Sequence, residues 1–173
     1  MKKKAGRPRK SVATESLTFP SLHPQVIEAV GQDICPAWEN NSKQEDQFTN
    51  EYDTNVSGRF RCSTRACSRV WGSGLVAIRI LAFHGNRYNA TVYSQRCKGC
   101  NSLGIMKLDK KRYIERVSYR LKKWAGISQE IPPYEKSGGP PHMDKLCEGC
   151  SQGHCRRGKR DDIISGLKDL TLN

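Results

Sequence analysis

The stretch from Phe60 to Cys100, FRCSTRACSRVWGSGLVAIRILAFHGNRYNATVYSQRCKGC, decides how this chain folds. Its middle holds two runs rich in β-branched and aromatic residues, Leu75 to Phe83 and Tyr88 to Gln95. Between them, His84-Gly85-Asn86-Arg87 carries the glycine and asparagine that a tight hairpin turn favours. The stretch reads as a β-hairpin, with Gly58 to Cys62 as a further strand ahead of it. At its ends stand two cysteine pairs, Cys62-x4-Cys67 and Cys97-x2-Cys100, separated by 29 residues. A hairpin returns the chain to where it began, so both pairs meet at one end of a small sheet. Four thiolates there make a closed tetrahedral site, and zinc suits that donor set and geometry.

The chain has eight cysteines, and seven fall in three clusters. The third cluster reads His142-Met-Asp-Lys-Leu-Cys147-Glu-Gly-Cys150-Ser-Gln-Gly-His154-Cys155. Its three thiolates need a fourth ligand, and His142 and His154 are the candidates. His154 adjoins Cys155, and neighbours in an extended turn point in different directions, so geometry favours His142. Cys35 stands alone and reads as a free or packed thiol. The basic start has no apolar run behind it, and no apolar stretch approaches the roughly 20 residues of a membrane helix. We expect neither a signal peptide nor a membrane span, hence a reducing nucleus or cytoplasm, where close thiols hold metal rather than form disulfides.

At 173 residues and 36% apolar content, the chain has room for one domain with a lean core. Two structural zinc ions, each supplying on the order of 10 kcal/mol or more, would offset that shortage, and the metal-free chain is expected to be largely unfolded. The expected fold class is α+β: a small zinc-stabilised antiparallel sheet with one amphipathic helix and a disordered basic N-terminal tail. Residues 1–22 read as that tail, and 23–49 as a short helix (Val26, Ile27, Val30 and Ile34 near helical spacing) followed by an acidic, solvated connector. Residues 50–157 read as the zinc domain and 158–173 as a C-terminal tail. After the second cysteine pair, Asp109 caps a helix to about Trp124, with Ile114, Val117, Leu121 and Trp124 on one stripe. At about 100° per residue, Arg112, Arg116 and Lys123 lie within roughly 40° of one another on the other side.

Phe60-x-Cys62, Cys67-x3-Trp71-x-Ser73, the hairpin, Gln95-x-Cys97-x2-Cys100 and His142-x4-Cys147-x2-Cys150-x4-Cys155 together resemble the 3CxxC-type zinc-finger family, over residues 50 to 157. The family groups fungal proteins with the animal receptor-transporting and zygote arrest proteins, and the fungal members look most similar. The resemblance implies one site from Cys62, Cys67, Cys97 and Cys100, and it strengthens His142 as partner of Cys147, Cys150 and Cys155. The first pair here is spaced by four residues rather than two. For function the resemblance implies either messenger-RNA binding or the trafficking of membrane receptors, and fold alone does not choose.

Charge points to the first of these. The formal net charge is +13, and from Thr54 to Leu108 there are nine Lys or Arg and no Asp or Glu. Seven thiolates and two divalent ions would leave +10, still an excess that attracts polyanions. Near the N-terminus, Gly6-Arg7-Pro8-Arg9-Lys10 resembles the core of an AT-hook and also reads as a nuclear-import signal. RNA or single-stranded nucleic acid is the expected ligand, with Arg7, Arg9, Arg112, Arg116 and Lys123 as contacts and residence in the nucleus, the cytoplasm or both. Closed four-ligand sites leave no position for substrate, and no nucleophile, phosphate loop or paired carboxylates are visible, so no enzyme is expected. Of the remaining candidates, His84 reads as a turn residue and Glu148 as a surface one. The alternative is a protein-interaction adaptor or trafficking factor that offers exposed apolar hairpin residues to a client.

Overall fold

The computed structural model describes residues 12–40, 47–133 and 139–156. In chain order its elements are β1 (Ser16–Thr18), α1 (His23–Val30), β2 (Ala37–Trp38), β3 (Phe48–Cys62), β4 (Val70–Phe83), β5 (Arg87–Tyr93), β6 (Gly104–Leu108), α2 (Lys110–Trp124) and α3 (Glu148–Ser151). The strands form one sheet ordered β1-β5-β4-β3-β6, with β2 also pairing β5 in parallel. This is a small α+β domain.

The hairpin is where the sequence placed it. Gly85 and Asn86 turn the chain at φ of 76° and 55°, the left-handed region that these two residue types tolerate best. From there β4 and β5 pair from Phe83↔Arg87 to Ile78↔Val92. The preceding strand is much longer than Gly58 to Cys62. β3 begins at Phe48 and pairs along most of β4, with a register shift between Val56 and Gly58 that sets two β4 residues, one of them extra, opposite Ser57.

Three expectations for the flanks need correction. The Ser/Thr-rich run before the first helix is not all tail, because Leu17 pairs Val92 and lengthens the sheet. The acidic connector is not simply solvated: Glu39 is buried and ion-paired with Arg87, and Glu51 and Asp53 lie within β3. An edge strand, β6, escaped the sequence reading. It pairs β3 from Gly58↔Leu108 to Cys62↔Gly104, a partnership set by tertiary packing in a five-residue segment with weak strand character of its own.

Period-two alternation gives the long strands two working faces. On one, Val56, Val76, Ile78, Ile80, Ala90 and Val92 pack under α1 and α2, which contribute Val26, Val30, Tyr113, Val117 and Leu121. Ile114 and Trp124 of the expected helix stripe lie at the margin of this cluster, and Tyr113 occupies its centre. The other face carries Ala77 and Tyr93, on which the third cysteine cluster sits. The fold thus has a helical side and a metal side.

Candidate metal centres

At the end of the sheet opposite the hairpin turn, β3 delivers Cys62 and the turn into β4 delivers Cys67. Cys97 and Cys100 follow β5. All four Sγ atoms lie within 4.8 Å of one another. Cys62 and Cys100 are 3.4 Å apart, Cys67 and Cys97 3.6 Å. A zinc tetrahedron with arms of about 2.3 Å has edges of about 3.8 Å, so the thiols stand nearly where zinc would hold them. Ser68 and Asn101, each directly after the second cysteine of its pair, adopt positive φ and close the two turns. The Gly99 amide donates to Cys97 Sγ, and Thr64 Oγ1 donates to Ser102 Oγ, tying one turn to the other.

Packed so closely, the thiols hold protons unevenly. Ser102, by side chain and backbone, draws Cys100 down to about 6. Cys67 feels the opposing pull of the Arg69 amide, yet the Cys97 thiol and desolvation push it up to about 12. Loading with metal must displace protons from such a set.

In the second centre His142 joins Cys147, Cys150 and Cys155, again with one donor atom each inside 4.8 Å. His142 Nε2 is 3.2 Å from Cys150 Sγ and 3.5 Å from Cys155 Sγ, against about 3.6 Å for a nitrogen–sulfur edge around zinc. Burial, then the Cys155 thiol, pushes Cys150 up to about 12. The cluster is seated on the sheet by the Gln95↔Cys147 bridge, by Glu148 N–H to Ser94 O and by Arg96 N–H to Leu146 O. The donors, their spacing and their burial fit two structural zinc ions, one in each centre.

Two residues near this centre differ from expectation. Glu148 is buried at 6% exposure and forms an ion pair with Arg96, the residue before Cys97, so it links the two centres. His154 is not the fourth ligand. Its ring stacks on Tyr93, and Nδ1 lies 3.5 Å from Glu51 Oε1 and 3.4 Å from Asp53 Oδ1. Arg79 also reaches Glu51, at 2.6 Å. This polar group pins the last turn of the cluster to β3 and β4. Nothing in the local sequence announces it, because its members come from segments a hundred residues apart. Cys35 is exposed and lies outside both centres.

The basic residues divide in two. Arg112 and Arg116, expected on an open helix face, retain only 17% and 15% side-chain exposure and share Glu115; Arg112 also donates to Pro133 O. Lys123 is exposed. Arg7 and Arg9 lie outside the described residues. In contrast, Arg59, Arg61, Arg65, Arg69, Lys98 and Lys107 are all exposed, and none has an acidic partner among the described residues. Arg61, Arg65, Arg69 and Lys98 lie within two residues of a donor of the first centre, and Arg59 and Lys107 pair with each other three residues farther along β3 and β6.

A family model described as a zinc-binding domain, the 3CxxC zinc ribbon, matches residues 55–153, more than half of the chain. The chain belongs to the 3CxxC zinc-ribbon family. No curated protein and no solved structure matches it. The family match takes in every donor of the first centre and His142, Cys147 and Cys150 of the second. Cys155, the last donor of this 3CxxC domain, lies two residues beyond the match.

Proposed function

We propose that this 3CxxC domain is a non-enzymatic nucleic-acid-binding module, acting in the nucleus, the cytoplasm or both, with RNA or another single strand as its ligand. The observation that carries the reading is the group of six exposed cations on the first centre and the strands leading from it, which have no acidic partner among the described residues. By contrast, Arg79, Arg87, Arg96 and Arg112 each face a carboxylate, while Arg120 and Arg156 lie against Tyr52. A field left uncompensated in one region draws a polyanion to that region. A structural zinc centre beneath it holds the cations in place before the ligand arrives, which lowers the ordering cost of binding. The hairpin residues Ile78, Ile80 and Val92 are fully buried and offer no contact to the client that the trafficking alternative requires, which leaves Val70 as the exposed apolar residue of β4.

The test is anisotropy titration of the zinc-loaded chain with a labelled single-stranded RNA across a range of salt. A single strand releases about 0.7 counterions per phosphate neutralised, so six contacts give a log–log slope near −4. Replacing Arg61, Arg65, Arg69 and Lys98 by Ala should flatten the slope by about 3, while the Arg112→Ala, Arg116→Ala double variant should bind nearly as the parent does. Binding that ignores salt, or no binding at low salt, would overturn the proposal. So would crosslinking in cells that recovers a membrane-protein client and no nucleic acid.

A further inference from the structure

Two of the six cations, Arg59 and Lys107, line an open cleft of about 940 Å³ bounded by β3, β4, β6 and the segment Gly139–Met143. That volume is at the upper end of the range of about 300–1,000 Å³ typical of small-molecule sites. Resting on the reading above, we infer that this cleft seats a short run of unpaired nucleotides.

The lining supplies the chemistry. Gly72, Arg59 and Lys107 are direct cross-strand neighbours in one row over β4, β3 and β6. Arg59 and Lys107 form no ion pair among the described residues. Arg96 is committed to Glu148, and Asp109, the sole carboxylate of the lining, accepts from the Arg112 amide and the Ser57 hydroxyl. With Asp109 ionised, Arg59 and Lys107 still leave the lining net positive, a setting for phosphates. Trp71 forms part of the wall and is held in one pose: its ring stacks on Phe60, and Nε1 donates to Gln95 Oε1, which is itself anchored through Nε2 on Ser73 Oγ and Leu75 O. By alternation Trp71 lies with Phe60 on the face opposite the Arg59–Lys107 row, so it stiffens this border of the cleft rather than standing beside the cations.

Gly72 adds an independent observation. It is exposed, its φ lies outside the left-handed region, and a Cβ placed on it would meet no heavy atom within 4 Å. Neither a turn nor internal packing requires glycine here, and a bare backbone at this point keeps the floor open. The edge of β4 from Val70 to Gly74 has β3 on one side, and its pairing with β5 starts only at Ile78. Its main-chain groups are thus available to base edges. A cleft of this volume suits a few splayed bases rather than a duplex.

The experiment compares a random-sequence 12-nucleotide RNA with its perfect duplex, using the full zinc-loaded chain. Gly72→Leu fills the floor without touching a charge. It should weaken single-strand binding about tenfold, leave the salt slope unchanged and spare duplex binding. Arg59→Ala with Lys107→Ala should instead reduce the single-strand slope by about 1.4. Should Gly72→Leu lose zinc, Lys107→Glu tests the same row, with at least a tenfold single-strand loss expected. Parental single-strand affinity in these variants, or an equal loss for the duplex, overturns the cleft assignment while the charge-based reading stands. Failure of the parent chain to bind either RNA overturns both. Salt-independent capture of an extended peptide on the β4 edge, competing with no RNA, overturns the cleft assignment in favour of strand addition.

Discussion

A methyl group at Gly149 would sit 2.3 Å from the Cβ of Ala77, a distance at which two carbons cannot coexist. The Cys147-Glu148-Gly149-Cys150 turn lies flat on the sheet only because that side chain is missing. Gly149→Ala should cost about 1–3 kcal/mol by overpacking and release zinc from the second centre before the first, measurable by chelator competition. His142 and His154 make the complementary pair. His142→Ala should leave one bound zinc per chain in native mass spectrometry, whereas His154→Ala should keep two and lose them faster to chelator. The seven thiol donors were legible from spacing, whereas the choice of His142 over His154 needed the fold. The tasks of Glu148 and His154 were not, because each is defined by residues from another part of the chain: Arg96 for one, Glu51 and Asp53 for the other.

Among the elements, α2 follows local rules most closely. Asp109 caps it, accepting from the Arg112 amide at 3.1 Å and from Ser57 Oγ at 2.8 Å. Desolvation works against its charge, but the Arg112 amide, the Ser57 hydroxyl and the Arg112 guanidinium hold the carboxyl below its ordinary range. A depressed carboxyl pKa stabilises the fold fully above the unfolded value near 3.9, and the contribution is lost as pH falls through the folded pKa. Asp109→Ala should therefore cost about 1 kcal/mol in urea unfolding at pH 7. A carbon-detected titration of the Asp109 carboxyl should give a midpoint below 3.9. The short edges behave differently. Neither β1 nor β6 has the length or β-branched content to declare itself, and each exists because a long strand beside it offers unpaired backbone groups.

At the scale of the whole molecule, the two faces of the sheet depend on metal to different degrees. The cluster under α1 and α2 contains no cysteine, whereas the smaller cluster on the other face is built around Cys147 and Cys155. Partial chelation should expose amides near Cys62–Cys67 and Cys147–Cys155 to hydrogen exchange while Val76–Ile80 and Tyr113–Leu121 stay protected. Two ions at roughly 10 kcal/mol each exceed the usual 5–15 kcal/mol margin of a domain, so complete stripping should still unfold it. Proton competition sets the direction with pH. Cys67 and Cys150, each pushed up to about 12, are protonated at neutral pH and must release a proton on loading. Apparent zinc affinity should fall at least tenfold per pH unit from pH 8 to 6 at each centre, and a flat competition profile would contradict this.

Sequence by itself determined the hairpin, the capped helix and the thiol donors of both centres, because turn residues, helical periodicity and thiol spacing act over a few neighbouring positions. It also determined the excess of positive charge. Only the tertiary structure decided where that charge stays uncompensated. Arg112 and Arg116 of the helix find Glu115, Arg120 finds the Tyr52 ring, the later sheet arginines find Glu51, Glu39 and Glu148, and the cations on and near the first centre find no carboxylate among the described residues. Ion pairing joins groups that are remote in sequence and close in space, so composition counts the charges and only folding distributes them.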